Sequence, residues 1–194
     1  MKHKTTLIVR GGGDLASGVI HRLYKCGYQV LVLECAKPSA IRRRVSFGEA
    51  VYDGTSRVEG VTGRLIKDIS ECRKVWDEKE IPILVDENAD AVFELKPDAL
   101  IDAILAKKNL GTTRMMAPLT IGLGPGFTAR VDVDYVVETQ RGHNLARVIE
   151  TGTAAPNTGI PGMIAGYGKE RVIHSPAAGM IHNYSEIGDI VEKD

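Results

Sequence analysis

No sign of charge dominates this chain. Its 25 Lys and Arg are matched by 25 Asp and Glu, for a formal net charge of zero, so no overall field draws it to nucleic acid or to a membrane surface. Cysteine is sparse: Cys26, Cys35 and Cys72 are odd in number, widely spaced and without a C-x-x-C pair. That excludes a disulfide framework and predicts reduced thiols in a cytoplasmic protein. No apolar stretch reaches membrane-spanning length, and the N-terminus enters a strand pattern within a few residues, which predicts neither an anchor nor a secretion signal. Internal repeats and low-complexity tracts are missing. So are G-x-S-x-G, a Ser-His-Asp pattern and a marked pair of carboxylates, which leaves no catalytic residue to name. The five histidines, His3, His21, His143, His174 and His182, fall singly with no H-x-x-x-H on a helix, so no metal site is expected.

What is present is ordinary globular composition, 43% hydrophobic and 26% charged over 194 residues. That suits one large domain, or one with a small appendage. The most informative segment runs from Thr5 to Gly18. A short apolar run, Leu7-Ile8-Val9, breaks on Gly11-Gly12-Gly13 and passes into a helical pattern carrying Leu15, Val19, Ile20, Leu23 and Tyr24. Gly11, Gly13 and Ala16 fit the spacing G-x-G-x-x-G/A. The first glycine allows a tight turn, the second a close approach to a pyrophosphate, and the third small residue lets helix pack on strand. A second apolar run, Val30-Leu31-Val32-Leu33, ends on Glu34, 21 residues beyond Gly13, where an acid typically holds a ribose hydroxyl. Gly11, Gly12, Gly13, Ala16 and Ser17 are therefore candidate pyrophosphate contacts, and Glu34 a ribose contact. Asp14 argues the other way. In the first helical turn it suits the helix dipole, but it repels a pyrophosphate unless Arg10 or a metal offsets it. The alternative is a purely structural turn with Asp14 as the helix cap.

Beyond Glu34, Arg42-Arg43-Arg44 lies where arginines meet an anionic ligand, or forms a solvated surface; Arg42 is the candidate. Residues 45–66, with four glycines, read as irregular chain feeding one strand. Asp68 and Glu71 have capping-box spacing for a helix burying Cys72, Val75 and Trp76. Ile81 to Asp86, ending on an acid, and Pro97 to Ala103 read as buried strands around a short helix near Ala89 to Leu95. Strands that are nearly all apolar, alternating with helices, predict an α/β fold: a Rossmann-like parallel sheet covered by helices on both faces. A second strand runs into glycines at Pro118 to Thr128, and turns at the carboxyl ends of parallel strands line the ligand crevice. Gly124, Gly126 and Thr128 are expected to hold the ligand from its other side, with Phe127 stacking; the alternative is a turn filled by an aromatic. Val131 to Val137, opening on Val131-Asp132-Val133-Asp134, alternates as a strand with one wet face does. Ala155 to Gly162 is a loop by composition.

The character changes near Arg171. Val172 to Ile181 and Ile187 to Val191 read as two strands about a tight turn, a small incomplete C-terminal β-module resembling half a biotinyl/lipoyl-type sandwich. The expected division is residues 1–168 for the nucleotide- or cofactor-binding domain and 169–194 for a truncated module ending at Asp194. The module's exposed edge points to a homo-oligomer or a swapped strand. Cys35, at the crevice rim, is either a nucleophile for chalcogen chemistry or a plain, partly buried cysteine. His143 is either functional or a solvated turn residue.

The motifs "IVRGGGDLASGVIHRL", "RRRVSFGEAVYDG", "ILVDE", "PDALIDAILAKKN", "APLTIGLGPGFTARVDV", "ETQRGHNLARVI" and "AAPNTGIPG", in fixed order over nearly the whole chain, resemble selenium-dependent molybdenum hydroxylase system proteins of the YqeB family. The strand–glycine–helix element alone is also similar to XdhC-type maturation factors, which handle the molybdenum cofactor before its insertion. Those factors typically carry a histidine where this chain has Asp14. The resemblance implies an accessory protein, longer than this chain in typical members, that accompanies selenium-containing molybdenum hydroxylases related to xanthine dehydrogenase. Its partners are then a hydroxylase apoenzyme or other cofactor-assembly proteins. Its small-molecule ligand is nucleotide-bearing, the molybdopterin dinucleotide cofactor, held for selenation or delivery. The rival expectation is an NAD(P)-dependent oxidoreductase using the same turn, which needs a proton donor; His143 or Asp102 offers itself. A third is a scaffold with an empty fold.

Overall fold

The computed structural model of the protein describes residues 4–160 and 162–192. His3, Pro161 and Asp194, read above, lie outside them. The chain divides into two compact units after Asn157, inside the loop marked by composition and ahead of residue 168.

In the first unit, β1 (Thr6–Arg10) leads through the glycines into α1 (Asp14–Lys25) and β2 (Gln29–Glu34). Short 3-10 turns at Arg43–Val45 and Phe47–Glu49 precede α2 (Ala50–Asp53), β3 (Thr55–Val58) and β4 (Val61–Ile66). Then come α3 (Cys72–Asp77), β5 (Ile81–Val85), α4 (Ala91–Leu95), β6 (Ala99–Asp102) and β7 (Thr120–Leu123). The short strands β8 (Thr128–Ala129), β9 (Tyr135–Val137), β10 (Val148–Ile149) and β11 (Gly152–Thr153) follow. The described residues form a nine-stranded sheet in the order β10-β9-β7-β6-β1-β2-β5-β4-β3, with β11 and β8 as a separate pair. Seven central strands run parallel, and only the edge strands β3 and β10 pair antiparallel.

Both faces of the sheet are buried, which is why its strands read as continuous apolar runs. Leu7, Val9, Val30 and Val32 pack on one face with Ala16 and Ile20 of α1 and with Phe47 and Ala50. Ile8, Leu31 and Leu33 pack on the other with Cys72 and Val75 of α3 and with Ala91 and Val92 of α4. The covering helices are short; only α1, at 12 residues, exceeds two turns. The capping box is formed: Asp68 accepts from the Ser70 N–H at 2.9 Å, and Glu71 accepts from the Asp68 N–H at 3.1 Å. No described helix is long and apolar enough to cross a membrane.

The structure corrects three strand readings. Residues 45–66 hold two strands, β3 and β4, where one was expected. Of the strand expected over Val131–Val137 the second half forms, as β9, while Val131–Asp134 is a turn. Asp132 accepts from the Thr128 N–H at 2.7 Å and Asp134 from the Thr120 N–H at 2.9 Å, while Val133 is fully buried. Its alternation comes from side-chain capping of the backbone, which mimics a period of two. The second unit, taken by itself, contains among its described residues a bridge between Ile164 and Tyr167 and a 3-10 turn at Lys169–Arg171. Among its described residues no strand forms at 172–181 or 187–191, so the expected β-module is not there. Ile173, Met180 and Ile190 are at least 90% exposed. Two short strands without a facing layer cannot bury an apolar side, and such a hairpin is marginal in water.

Candidate functional site

β1 stands where strand order reverses: β2 pairs on one side of it and β6, reached much later in the chain, on the other. Crevices at such reversals, outside the carboxyl ends of the strands, are where open parallel sheets bind ligands. The glycine turn leaves β1 at this point. Gly11 has φ +93°, and a Cβ there would stand 2.9 Å from the Ile104 Cα, so the turn lies directly on the chain leaving β6. Gly12 is pressed from the opposite direction. Its carbonyl accepts from the Gly48 N–H at 2.8 Å and the Ser17 hydroxyl at 3.1 Å, and a Cβ on it would meet the Gly48 nitrogen at 2.8 Å. Ser17 Oγ in turn accepts from the Phe47 N–H at 2.8 Å. Residues 47–48 are thereby seated on the turn. Gly13 alone is open, with no atom within 4 Å of where a Cβ would be.

A cavity of about 170 Å3 opens here, lined by residues that include Gly12, Gly13, Glu34, Cys35, Lys37 and Ile104. Glu34 is central to it. One carboxylate oxygen accepts from the Gly12 N–H at 2.7 Å and the other from the Cys35 N–H at 2.8 Å. Burial pushes the Cys35 thiol up, and the neighbouring Glu34 and Glu87 charges add to this against a lowering hydrogen bond from the Lys37 backbone. It is therefore a thiol rather than a thiolate at neutral pH, the state unsuited to nucleophilic chemistry. Cys72 is buried on the far face and pushed up to about 12, chiefly by burial. All three cysteines are free.

The other expected residues fall into place unevenly. Arg42 forms an ion pair with Asp14 at the start of α1, so the cation that offsets Asp14 is Arg42 rather than Arg10. Arg10 is 2% exposed and turned into the protein, 3.5 Å from Asp102 and donating to Thr112 Oγ1 at 2.6 Å. Ala16 and Ser17 are buried and serve packing and loop seating rather than a ligand surface. Gly124, Gly126, Phe127 and Thr128 do not line the cavity with the first turn. Gly126 lies on the Lys108 backbone, and Phe127 fills a small core with Ala129, Val133 and Val136, the ring packed on Gly122. Thr128 belongs to β8 and donates its N–H to Asp132. The turn is thus filled by its aromatic. Lys37, Pro38, Ser39, Ala40, Gly48 and Ile104 are the cavity residues that sequence reasoning missed as site residues. Gly48 carries a signal in retrospect, a small residue in an otherwise bulky run, but its partner Gly12 is 36 positions away.

A second, more open cavity of about 400 Å3 lies beside β10, lined by residues that include Glu138, Asn144, Arg147 and Thr153. Burial pushes the Glu138 carboxyl up, but N–H donors from Ala155, Gln140 and Thr139 outweigh it and hold the group below the usual glutamate range. His143 is exposed and lines neither cavity. Among the described residues no three His, Cys, Asp or Glu side chains gather to hold a metal ion.

No protein-family model matches the chain, and no solved structure matches it. Over 187 residues it is 50% identical to a protein of Escherichia coli (strain K12) described as "Uncharacterized protein YqeB". That alignment takes in 96% of this chain but 35% of the relative, so the chain spans little more than a third of the protein it matches. On half of its residues shared across nearly its whole length, the chain belongs to the YqeB family.

Proposed function

We propose that this chain is the ligand-holding part of an accessory protein for selenium-dependent molybdenum hydroxylases, and that its Rossmann-like sheet holds one end of a nucleotide-bearing ligand, the molybdopterin dinucleotide cofactor. The observation that carries the reading is the cavity at the strand reversal, where the glycine turn, the Glu34 carboxylate and Lys37 meet. A volume of about 170 Å3 is below the roughly 300–1,000 Å3 of sites that enclose a whole ligand. It accommodates about one sugar and leaves the rest of a dinucleotide outside, an arrangement suited to handing a ligand on. Glu34 has acceptor capacity left for a ribose hydroxyl, since a carboxylate offers about four lone-pair sites. The hydroxylase apoenzyme, or another cofactor-assembly protein, is the proposed recipient.

Binding is favoured over hydride transfer by the placement of the two candidate proton donors. Asp102 is 2% exposed and bonded to Thr112, and His143 sits on an exposed turn. Neither lines the cavity. The test is a thermal-shift titration of the full chain with CDP, CTP, NAD, NADP and molybdopterin cytosine dinucleotide. At one hundred times its dissociation constant a ligand adds about 2.7 kcal/mol. Stabilisation by the cytosine compounds is the expected result. Stabilisation by NAD or NADP alone transfers the reading to the oxidoreductase, and silence across the panel overturns both.

A further inference from the structure

We infer that Glu34 is the specificity-determining residue of this cavity: its carboxylate already fills the place on the glycine turn where a phosphate would bind, so the cavity accepts a neutral, hydroxyl-bearing group such as a ribose and turns phosphate away. The inference rests on the reading of this cavity as a ligand site.

A glycine turn entering a helix attracts anions because its backbone N–H groups point outward without partners. Here the Gly12 N–H donates to a Glu34 oxygen at 2.7 Å, while the other oxygen is held by the Cys35 N–H at 2.8 Å. The carboxylate bridges the ends of β1 and β2 from a fixed position. The space around it is closed as well. A Cβ built on Gly12 would stand 3.3 Å from the bound oxygen, and one built on Gly48 3.2 Å from it. Gly12, Gly48 and the carboxylate are therefore in mutual contact, with no gap for a phosphoryl group among them. Among the described residues no Lys or Arg nitrogen comes within ion-pair distance of Glu34, so its charge is left to repel an incoming anion. Asp14 adds a second carboxylate at the same helix start, already paired to Arg42. At Gly12 the turn offers an incoming ligand an acceptor instead of a free donor. Both carboxylate oxygens retain lone pairs for a donor, which matches the hydroxyls of a sugar. The phosphates of such a ligand lie outward, toward exposed Lys37 at the rim.

The experiment is a calorimetric titration of inorganic pyrophosphate into the full chain, as wild type, Glu34→Ala and Glu34→Gln. Opening the Gly12 N–H makes pyrophosphate bind roughly tenfold to a hundredfold tighter to Glu34→Ala than to wild type, the worth of one hydrogen bond to a charged group. Glu34→Gln keeps the side chain's shape and loses only its charge, so its gain is smaller and in the same direction. It decides the matter if Glu34→Ala does not fold. Wild type binding pyrophosphate as tightly as the variants, or folded variants gaining nothing, overturns the inference. Because pyrophosphate carries no nucleoside, this result is separate from the nucleotide panel. A gain in Glu34→Ala beside a silent panel retires the proposed function and keeps the role of Glu34, and the reverse pattern does the opposite.

Discussion

Arg10 at the end of β1 and Asp102 at the end of β6 are direct partners in the sheet register, their charged groups 3.5 Å apart and each 2% exposed. The Thr112 hydroxyl bridges them, accepting from Arg10 at 2.6 Å and donating to Asp102 at 2.6 Å. Arg10 also donates to the Glu87 and Leu110 carbonyls at 2.8 and 3.3 Å. One side chain thus ties down the loops after β5 and β6, both at the carboxyl end of the sheet. The pair plugs the strand reversal itself and leaves the cavity to its Glu34 side.

Breaking that pair from one side strands a buried charge. Arg10→Met or Asp102→Ala is expected to cost about 3–5 kcal/mol, and the double replacement by apolar residues much less than the sum. Urea denaturation midpoints of the three variants check this. A strictly additive double variant would show that the two charges do not depend on each other.

The glycines of the turn differ in what they do, and alanine separates them. Gly11→Ala forces a side chain into a left-handed position 2.9 Å from the Ile104 backbone and should cost more than about 1 kcal/mol. Gly13 has φ −65° and open space around it, so Gly13→Ala should leave the melting temperature within the scatter of surface changes, about 0.5 kcal/mol. If Gly13→Ala also weakens binding of the stabilising nucleotide, the ligand approaches the turn closely. Equal stability loss in the two variants would contradict the packing described here.

Acid sensitivity should centre on Glu138 and Asp134. For both, burial raises the carboxyl, but hydrogen-bond donors lower it by more: backbone N–H groups for Glu138, the Thr120 N–H and hydroxyl with Arg114 for Asp134. A folded-state value below the unfolded one contributes stability that is fully present above the unfolded pKa, about 4 for these groups, and is lost as pH falls through the folded value. The urea midpoint should therefore hold from neutrality to pH ~5 and fall below pH ~4. Glu138→Gln should lower stability at neutral pH and flatten the acid limb. An acid limb unchanged in Glu138→Gln would remove Glu138 from the account.

How much of this was legible in the chain depends on the range of the interaction. The β1–turn–α1 unit, the apolar strands β2, β5 and β6 and the Asp68–Glu71 capping box were readable because each is a pattern within a few neighbouring residues. Glu34 was readable as a crevice residue from its spacing. Its bond to Gly12 was not, nor was the seating of Gly48 on Gly12, because nothing local to either residue records the other. Arg10 looked like a ligand cation because a charged residue at the end of a strand is usually solvated, and here β6 brings Asp102 beside it. Phe127 looked like a stacking surface until the turn at Val133 closed a small core around it. The Val131–Asp134 alternation came from Asp132 and Asp134 capping backbone N–H groups around a buried Val133, and the apolar stretches after Arg171 carried a strand pattern without a facing layer.

By itself the sequence determined the α/β character, the parallel sheet and the glycine turn, since apolar periodicity and backbone preference act locally. Tertiary structure alone decided which charges meet: Glu34 on Gly12, Arg10 on Asp102, Arg42 on Asp14. Those pairings are set by which strands lie side by side, and strand order follows from the summed burial of both sheet faces rather than from any residue's neighbours in the chain.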